Sequence, residues 1–217
     1  MDFTRLFNFL QELEHNNSKE WMDIHRKRYH LIRNDLILWL DDMDATLAEI
    51  DDDYYATPGK KGINRINNNL MFHPHKPIYK DHFGAGLDKA PNSADFYLEF
   101  GIQGSMLAGG LWRPAPKTLR SIREAIDYDG EEFKNIINKK SFKTTFGALY
   151  EDEKLKMAPK GFSNDHPYID LLRNKTFAVA QRFPNTHVLK NNFKDKVIEV
   201  YMEMLPFRRY LNKAITV

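Results

Sequence analysis

Cations interleaved with aromatics are the chain's most suggestive chemistry: Arg65, Lys76, Tyr79 and Lys80, then Trp112, Arg113, Lys117, Arg120 and Arg123. Guanidinium and ammonium groups take phosphate or carboxylate, and guanidinium does so through two parallel N–H bonds. Arg120 and Arg123 fall on one turn of an expected helix. Arg113 and Lys117 stand near its start, where unpaired backbone N–H groups also favour anions. Tyr79 or Trp112 would supply a stacking wall. Cations held close together repel unless an anion or nearby carboxylates compensate. Two explanations therefore compete. One is a pocket for a phosphate, a carboxylate metabolite or a nucleic-acid backbone; the other is ordinary surface pairing with Glu99, Glu124 and Asp127. The expectation is that Arg65, Lys76, Tyr79, Lys80 and Arg123 converge on one concave site joined by Arg113, with Tyr97 and Glu99 as its floor or its compensating partners.

Histidines form the second candidate group. His73-Pro74-His75 with His82, and Asp81 and Glu99 as available carboxylates, offers metal-ligand chemistry. None of the established metalloenzyme spacings is present, so neither a metal nor a cofactor is expected. His166, between Asp165 and Pro167, stands where a helix is expected to begin with Asp165 as its cap. A positive charge there would oppose the helix dipole and favour a neutral imidazole. His166 and Glu99 are the candidate catalytic residues, against a capping or packing histidine. Other chemistries are absent from the sequence. Gly104-Ser105-Met106-Leu107 lacks the second glycine of a nucleophile elbow. Gly84-Ala85-Gly86 fits no dinucleotide fingerprint, and there is no phosphate loop. With zero cysteines, thiolate catalysis, disulfides, iron–sulfur clusters and cysteine zinc sites are excluded.

The elements that must position these groups follow from pattern. Of 217 residues, 42% are hydrophobic and 13% aromatic, with a net charge of +2, which argues for a core and against disorder or a polybasic arm. No window approaches the ~18 apolar residues of a membrane span, and no secretory signal is visible at Met1-Asp2-Phe3-Thr4-Arg5; a cytoplasmic, soluble protein is expected. Charge is uneven, with thirteen acids against six Lys/Arg over residues 1–59, then six Lys/Arg against two acids over 60–89. Phe3, Leu6, Phe7, Leu10 and Leu13 mark one amphipathic helix. Ser18 caps a second from Lys19 to about Ile50, with Trp21, Ile24, Leu31, Ile32, Leu36 and Leu40 on or near one face and a break near Asn34-Asp35. Ala94–Gln103 alternates as a strand, with Phe96, Leu98, Phe100 and Ile102 inward beneath helices carrying Leu6, Leu10, Leu36 and Leu40. A turn at Gly104-Ser105 leads to a returning strand, Met106–Trp112, whose Gly109-Gly110 marks a bulge or a close approach. Ile63–Asn67 and His82–Asp88 are weaker strand candidates. Helices over Lys117–Ile126 and Glu131–Asn138, strands around Phe142–Leu149 and Thr176–Phe183, a helix ending at Arg173, and C-terminal helices interrupted by Pro206 complete the reading. The whole is an α+β fold: a single domain over 1–217, with an antiparallel sheet and helices packed against it. Its parts are an N-terminal helical region (1–56), a central strand-rich region (60–115) and a mixed and helical C-terminal region (116–217).

One set of segments carries a resemblance: Arg65-Ile66, Lys76-Pro77-Ile78-Tyr79-Lys80, Gly110-Leu111-Trp112-Arg113-Pro114, Ser121-Ile122-Arg123-Glu124-Ala125-Ile126, and Ala158-Pro159-Lys160-Gly161-Phe162 followed by Asp165-His166-Pro167. In this order, over nearly the whole chain, they resemble the bacterial and fungal family catalogued as domain of unknown function 2461. The resemblance implies motif positions at Arg65, Lys76, Tyr79, Lys80, Arg123, Pro159, Gly161, His166 and Pro167, and no activity. Where the family tends to show an Arg-Asp pair and a further Arg, this chain has Asn68-Asn69 and Met71. The leading functional expectation is a protein binding an anionic, phosphate- or carboxylate-bearing ligand, with nucleic acid not favoured and no membrane partner. The alternatives are a hydrolase or metal-assisted enzyme using the His73/His75/His82 group or His166, and an interaction protein with no small-molecule site.

Overall fold

A computed structural model describes residues 1–215; Thr216 and Val217, part of the expected domain, lie outside the described residues. Their chain order is α1 (Phe3–His15), α2 (Lys19–Ile50), α3 (Gly59–Gly62), β1 (His82–Leu87), β2 (Asp95–Gly101), β3 (Gly104–Leu111), α4 (Pro116–Asn138), α5 (Lys140–Phe146), α6 (Ile169–Leu172), β4 (Phe177–Phe183), α7 (Asn185–Val188) and α8 (Phe193–Ile215). The strands pair in sequence order, β1-β2-β3-β4, as one antiparallel sheet, and the class is α+β. Ile63 and Asn67 enter only isolated bridges, to Ala85 and Tyr79, instead of a strand of their own. By compactness the chain divides into two units. One comprises residues 1–89, 97–107 and 182–198; the other comprises 90–96, 108–181 and the described chain from Glu199.

In the first unit, the Asp2 carboxylate caps α1 by accepting from Arg5 N–H at 3.1 Å. Ser18 Oγ caps α2 by accepting from Trp21 N–H at 3.2 Å. These bonds satisfy donors that a helix start leaves free. No break occurs at Asn34-Asp35; α2 runs unbroken for 32 residues. Its buried stripe holds Met22, Tyr29, Ile32, Leu36, Leu40, Met43 and Leu47. Ile24 and Leu31, expected on or near that stripe, are exposed instead. At ~100° per residue, Ile24 stands ~200° round the helix from Met22. Leu6, Leu10, Leu36, Leu40, Leu98 and Phe100 are all buried. Phe3, Trp39, Phe100 and Phe193 interlock, with Phe3 and Phe100 centroids 5.0 Å apart and Trp39 edge-on to Phe100 at 5.8 Å. The inward register of β2 holds through Phe100 and then stops. Ile102 with Gln103 makes the turn to β3, two residues earlier than the glycine-serine pair suggested. Gly104, at φ +137°, starts the returning strand.

In the second unit, Phe96 packs edge-on against Tyr201 at 5.3 Å. A side chain at Gly109 would strike the Met204 sulfur, and one at Gly110, where φ is +112°, the Phe177 carbonyl. The close approach read from this glycine pair is real. α4 begins with a proline in its first turn and breaks at Asp129 (φ −143°, ψ 61°), between the two helices expected over Lys117–Ile126 and Glu131–Asn138. Two readings are corrected here. Phe142–Leu149 is not a strand: α5 places Phe142 and Phe146 one turn apart, both buried, and Gly147 at φ +73° ends it. Nor does Pro206 interrupt the C-terminal helix. It sits on the exposed side of α8, as does Met202, whose carbonyl loses its helical partner and can meet water.

Candidate functional site

Asparagines build the first part of the site. Asn67 bridges to Tyr79, Asn68 N–H donates to the Ile78 carbonyl at 2.9 Å, and the Asn68 side-chain amide donates to the Pro77 carbonyl at 2.9 Å. Lys80 N–H then donates to the Ile66 carbonyl at 2.8 Å. The chain from Arg65 to Lys80 thus folds back on itself, and the Lys80 ammonium donates to the Arg65 carbonyl at 2.8 Å. Asn68 and Asn69 make neutral turn bonds; the Asn69 carbonyl accepts from Phe72 N–H and His73 N–H.

A second asparagine device sets the direction of Tyr79. Asn17 Oδ1 accepts from Tyr79 N–H at 2.9 Å and its amide donates to the Tyr79 carbonyl at 3.0 Å, across 62 residues. Tyr79 is buried, its phenol pushed up mainly by burial, with Arg26 pulling it down and Asp23 and Glu20 adding to the rise. Its ring therefore belongs to the α2 side. Lys80 has different neighbours. Burial, then the positive charges of Arg65 and Lys76, lower its affinity for a proton, while Glu99 raises it. Among the described residues, no carboxylate forms an ion pair with Arg65, Lys76 or Lys80.

Beside this group lies a cleft of about 400 Å³, lined by Asp81, His82, Glu99, the turn Gly101–Ser105, and Arg182, Phe183 and Pro184. Strand alternation puts Tyr97 and Glu99 on the face of β2 opposite Leu98 and Phe100, and the Tyr97 hydroxyl donates to Glu99 Oε2 at 3.2 Å. His82 Nδ1 lies 2.7 Å from Asp81 Oδ1, so its proton is on Nδ1. Nε2 faces Glu99 Oε2 at 3.7 Å. The turn is held by Ser105, whose hydroxyl donates to Asn185 Oδ1 at 2.7 Å, and by Asn185, whose amide donates to the Gly101 carbonyl at 2.8 Å. A Cβ at Gly84 would meet the Tyr97 hydroxyl, so a larger residue there would have to displace the Tyr97 ring. Ser105 was read only as a turn residue, and Asn185 and Arg182 escaped the sequence reading; Arg182 gave no signal beyond its charge. His73 and His75 are exposed in the turn before Lys76. Among the described residues, no three His, Asp or Glu side chains are grouped to hold a metal.

Arg113, Arg123 and His166 belong to the second unit. Arg113 pairs with Asp152 at 2.7 Å and Glu153 at 3.1 Å. Arg123 donates to the carbonyls of Leu172 at 2.8 Å and Asn174 at 3.1 Å, and burial lowers its proton affinity. His166 Nδ1 lies 3.1 Å from Tyr168 N–H, which can only donate, so Nδ1 accepts and the ring proton is on Nε2, donated to Asp127 at 2.8 Å. Both nitrogens are occupied, as in a packing histidine. α6 starts after Tyr168, with no side-chain cap from Asp165.

What the geometry defines is an α+β protein with a cation group and a carboxylate–histidine cleft at one end of β1 and β2. The chain matches the model of the family described as "Conserved hypothetical protein (DUF2461)" over residues 5–210, and it belongs to that family. Neither the curated proteins nor the solved structures give a match. No helix among the described residues is long and apolar enough to cross a membrane.

Proposed function

We propose that the protein binds a small anionic ligand, its phosphate or carboxylate held by Arg65, Lys76 and Lys80 and its remainder lying in the adjoining cleft. The observation that carries this is the compensation missing from the cation group. Lys80 is half-buried, feels the charges of Arg65 and Lys76, and has no ion pair among the described residues. Like charges held this way are destabilising until an anion joins them. Asp81 and Glu99 would accept hydrogen bonds from hydroxyl or amine groups of the same ligand, and His82 would orient it. Tyr97 acts through Glu99. Titration calorimetry with inorganic phosphate and with a sugar phosphate tests the reading. Saturable binding lost in Lys76→Ala/Lys80→Ala is expected; binding unchanged in that variant overturns it.

A second reading, an enzyme, is favoured by one feature: His82 Nε2 and the Glu99 carboxylate face each other at 3.7 Å on the wall of the cleft. With its proton on Nδ1, the imidazole keeps Nε2 open as a base, as hydrolysis requires. Glu99→Gln would then abolish turnover of a bound phosphate ester while leaving its binding intact.

A further inference from the structure

We propose that α2 carries a self-association surface, through which two copies of this chain pair antiparallel about a two-fold axis at Leu31. Ile24, Leu31 and Leu38 recur every seven residues and are 79%, 57% and 68% exposed. At ~100° per residue they fall within ~20° of one line, on the side away from the buried stripe. Exposed aliphatics scattered singly need no explanation, but three in register on one long, unbroken helix form a seam.

Charge selects both the occupant and its direction. In an antiparallel pair, residues equidistant from Leu31 face each other. Ile24 then meets Leu38 of the second copy, Lys27 meets Asp35, and Arg28 meets Asn34. Each contact occurs twice by symmetry. A parallel pair would set Lys27 against Lys27 and Asp35 against Asp35. Lys27 has no partner within its own chain among the described residues, while Asp35 is 3.6 Å from Arg5 and Arg28 is held by Glu12. The like-charge pair, Glu20 opposite Asp42, is relieved by Lys194, which pairs with Asp42 at 2.5 Å. Three aliphatics per copy cover less than the ~800 Å² per partner of a stable complex, so the pair is a reversible, concentration-dependent dimer. The proposal is independent of the anion site.

Because the chain has no cysteine, single cysteines report the geometry directly. Under mild oxidation at high protein concentration, Leu31→Cys is expected to form a covalent dimer. Ile24→Cys alone is expected to form little, and Ile24→Cys/Leu38→Cys to cross-link efficiently. In sedimentation velocity, Lys27→Asp and Asp35→Lys should each weaken the dimer by ~3- to 10-fold, and the double exchange should restore it. Circular dichroism confirms that the variants fold. A monomer at every concentration overturns the proposal. So does cross-linking of Ile24→Cys equal to that of Leu31→Cys, or a double exchange as weak as the singles.

Discussion

Two groups of cations stand out in this chain, and their surroundings differ. Around the start of α4, Arg113 faces Asp152 and Glu153, Arg120 pairs with Glu124 at 2.8 Å, and Arg123 is held by two carbonyls. At the foot of β1, among the described residues, Arg65, Lys76 and Lys80 have a single backbone carbonyl between them and no ion pair. In sequence the two groups look alike: basic residues with a tyrosine or tryptophan nearby. What separates them is where the acids lie. The acids that answer Arg113 are 39 and 40 residues away, placed by the fold; among the described residues no acid pairs with the first group, and Glu99 acts on Lys80 only through its charge. A cation group that the fold has already supplied with partners needs no ligand to explain it; the group without them is the one for which a bound anion is proposed.

Substitutions sharpen this contrast. The scale is set by the core beneath the first group: Phe100→Ala, which removes a ring from the Phe3–Trp39–Phe193 cluster, is expected to lose ~3–5 kcal/mol in urea unfolding. Arg123→Ala comes next. It leaves the Leu172 and Asn174 carbonyls without their donor, and a loss of ~1–3 kcal/mol is expected, with no effect on phosphate affinity. Lys76→Ala/Lys80→Ala should reverse that signature, moving stability by less than ~1 kcal/mol and abolishing phosphate binding in calorimetry. If Arg123→Ala weakens phosphate binding while the lysine pair destabilises the fold, the assignment of the two groups must be exchanged.

How far the sequence could anticipate this follows the range of the interactions. α2 was legible to both ends because its cap, Ser18, and its apolar period are local. β2 was legible through Phe100 because alternation is local too. Ile102 broke the pattern where the turn began, and Phe142 and Phe146 looked like strand residues until α5 set them one turn apart. The site was less legible. Asn17 is one short polar residue between two helices, yet it holds the Tyr79 backbone from 62 residues away, and Asp127 fixes the His166 ring across 39. Arg113 and Arg123 carried the same basic signature as Lys80, and nothing local revealed which of them would find partners.

The smallest expected effect is also the most direct probe of the uncompensated charge. Lys80 binds its proton less tightly in the folded protein than the 10.5 of an ordinary lysine, chiefly through burial and then through Arg65 and Lys76. Between the lowered value and 10.5, the unfolded chain holds more protons than the folded one, so stability must rise with pH across that window. Below it, both states are charged and the folded state carries the full penalty. Lys80→Met removes the titrating group, and its unfolding free energy should lack this rise when compared with the parent in urea titrations at stepped pH. A bound anion acts in the opposite sense, favouring the ammonium form. Sulfate, whose own charge does not change in this range, should therefore flatten the parent's pH dependence, bind with proton uptake near the lowered value, and weaken as pH climbs through it. If the parent and Lys80→Met give superimposable pH profiles with and without sulfate, Lys80 is solvated like any surface lysine, and the contrast between the two cation groups disappears.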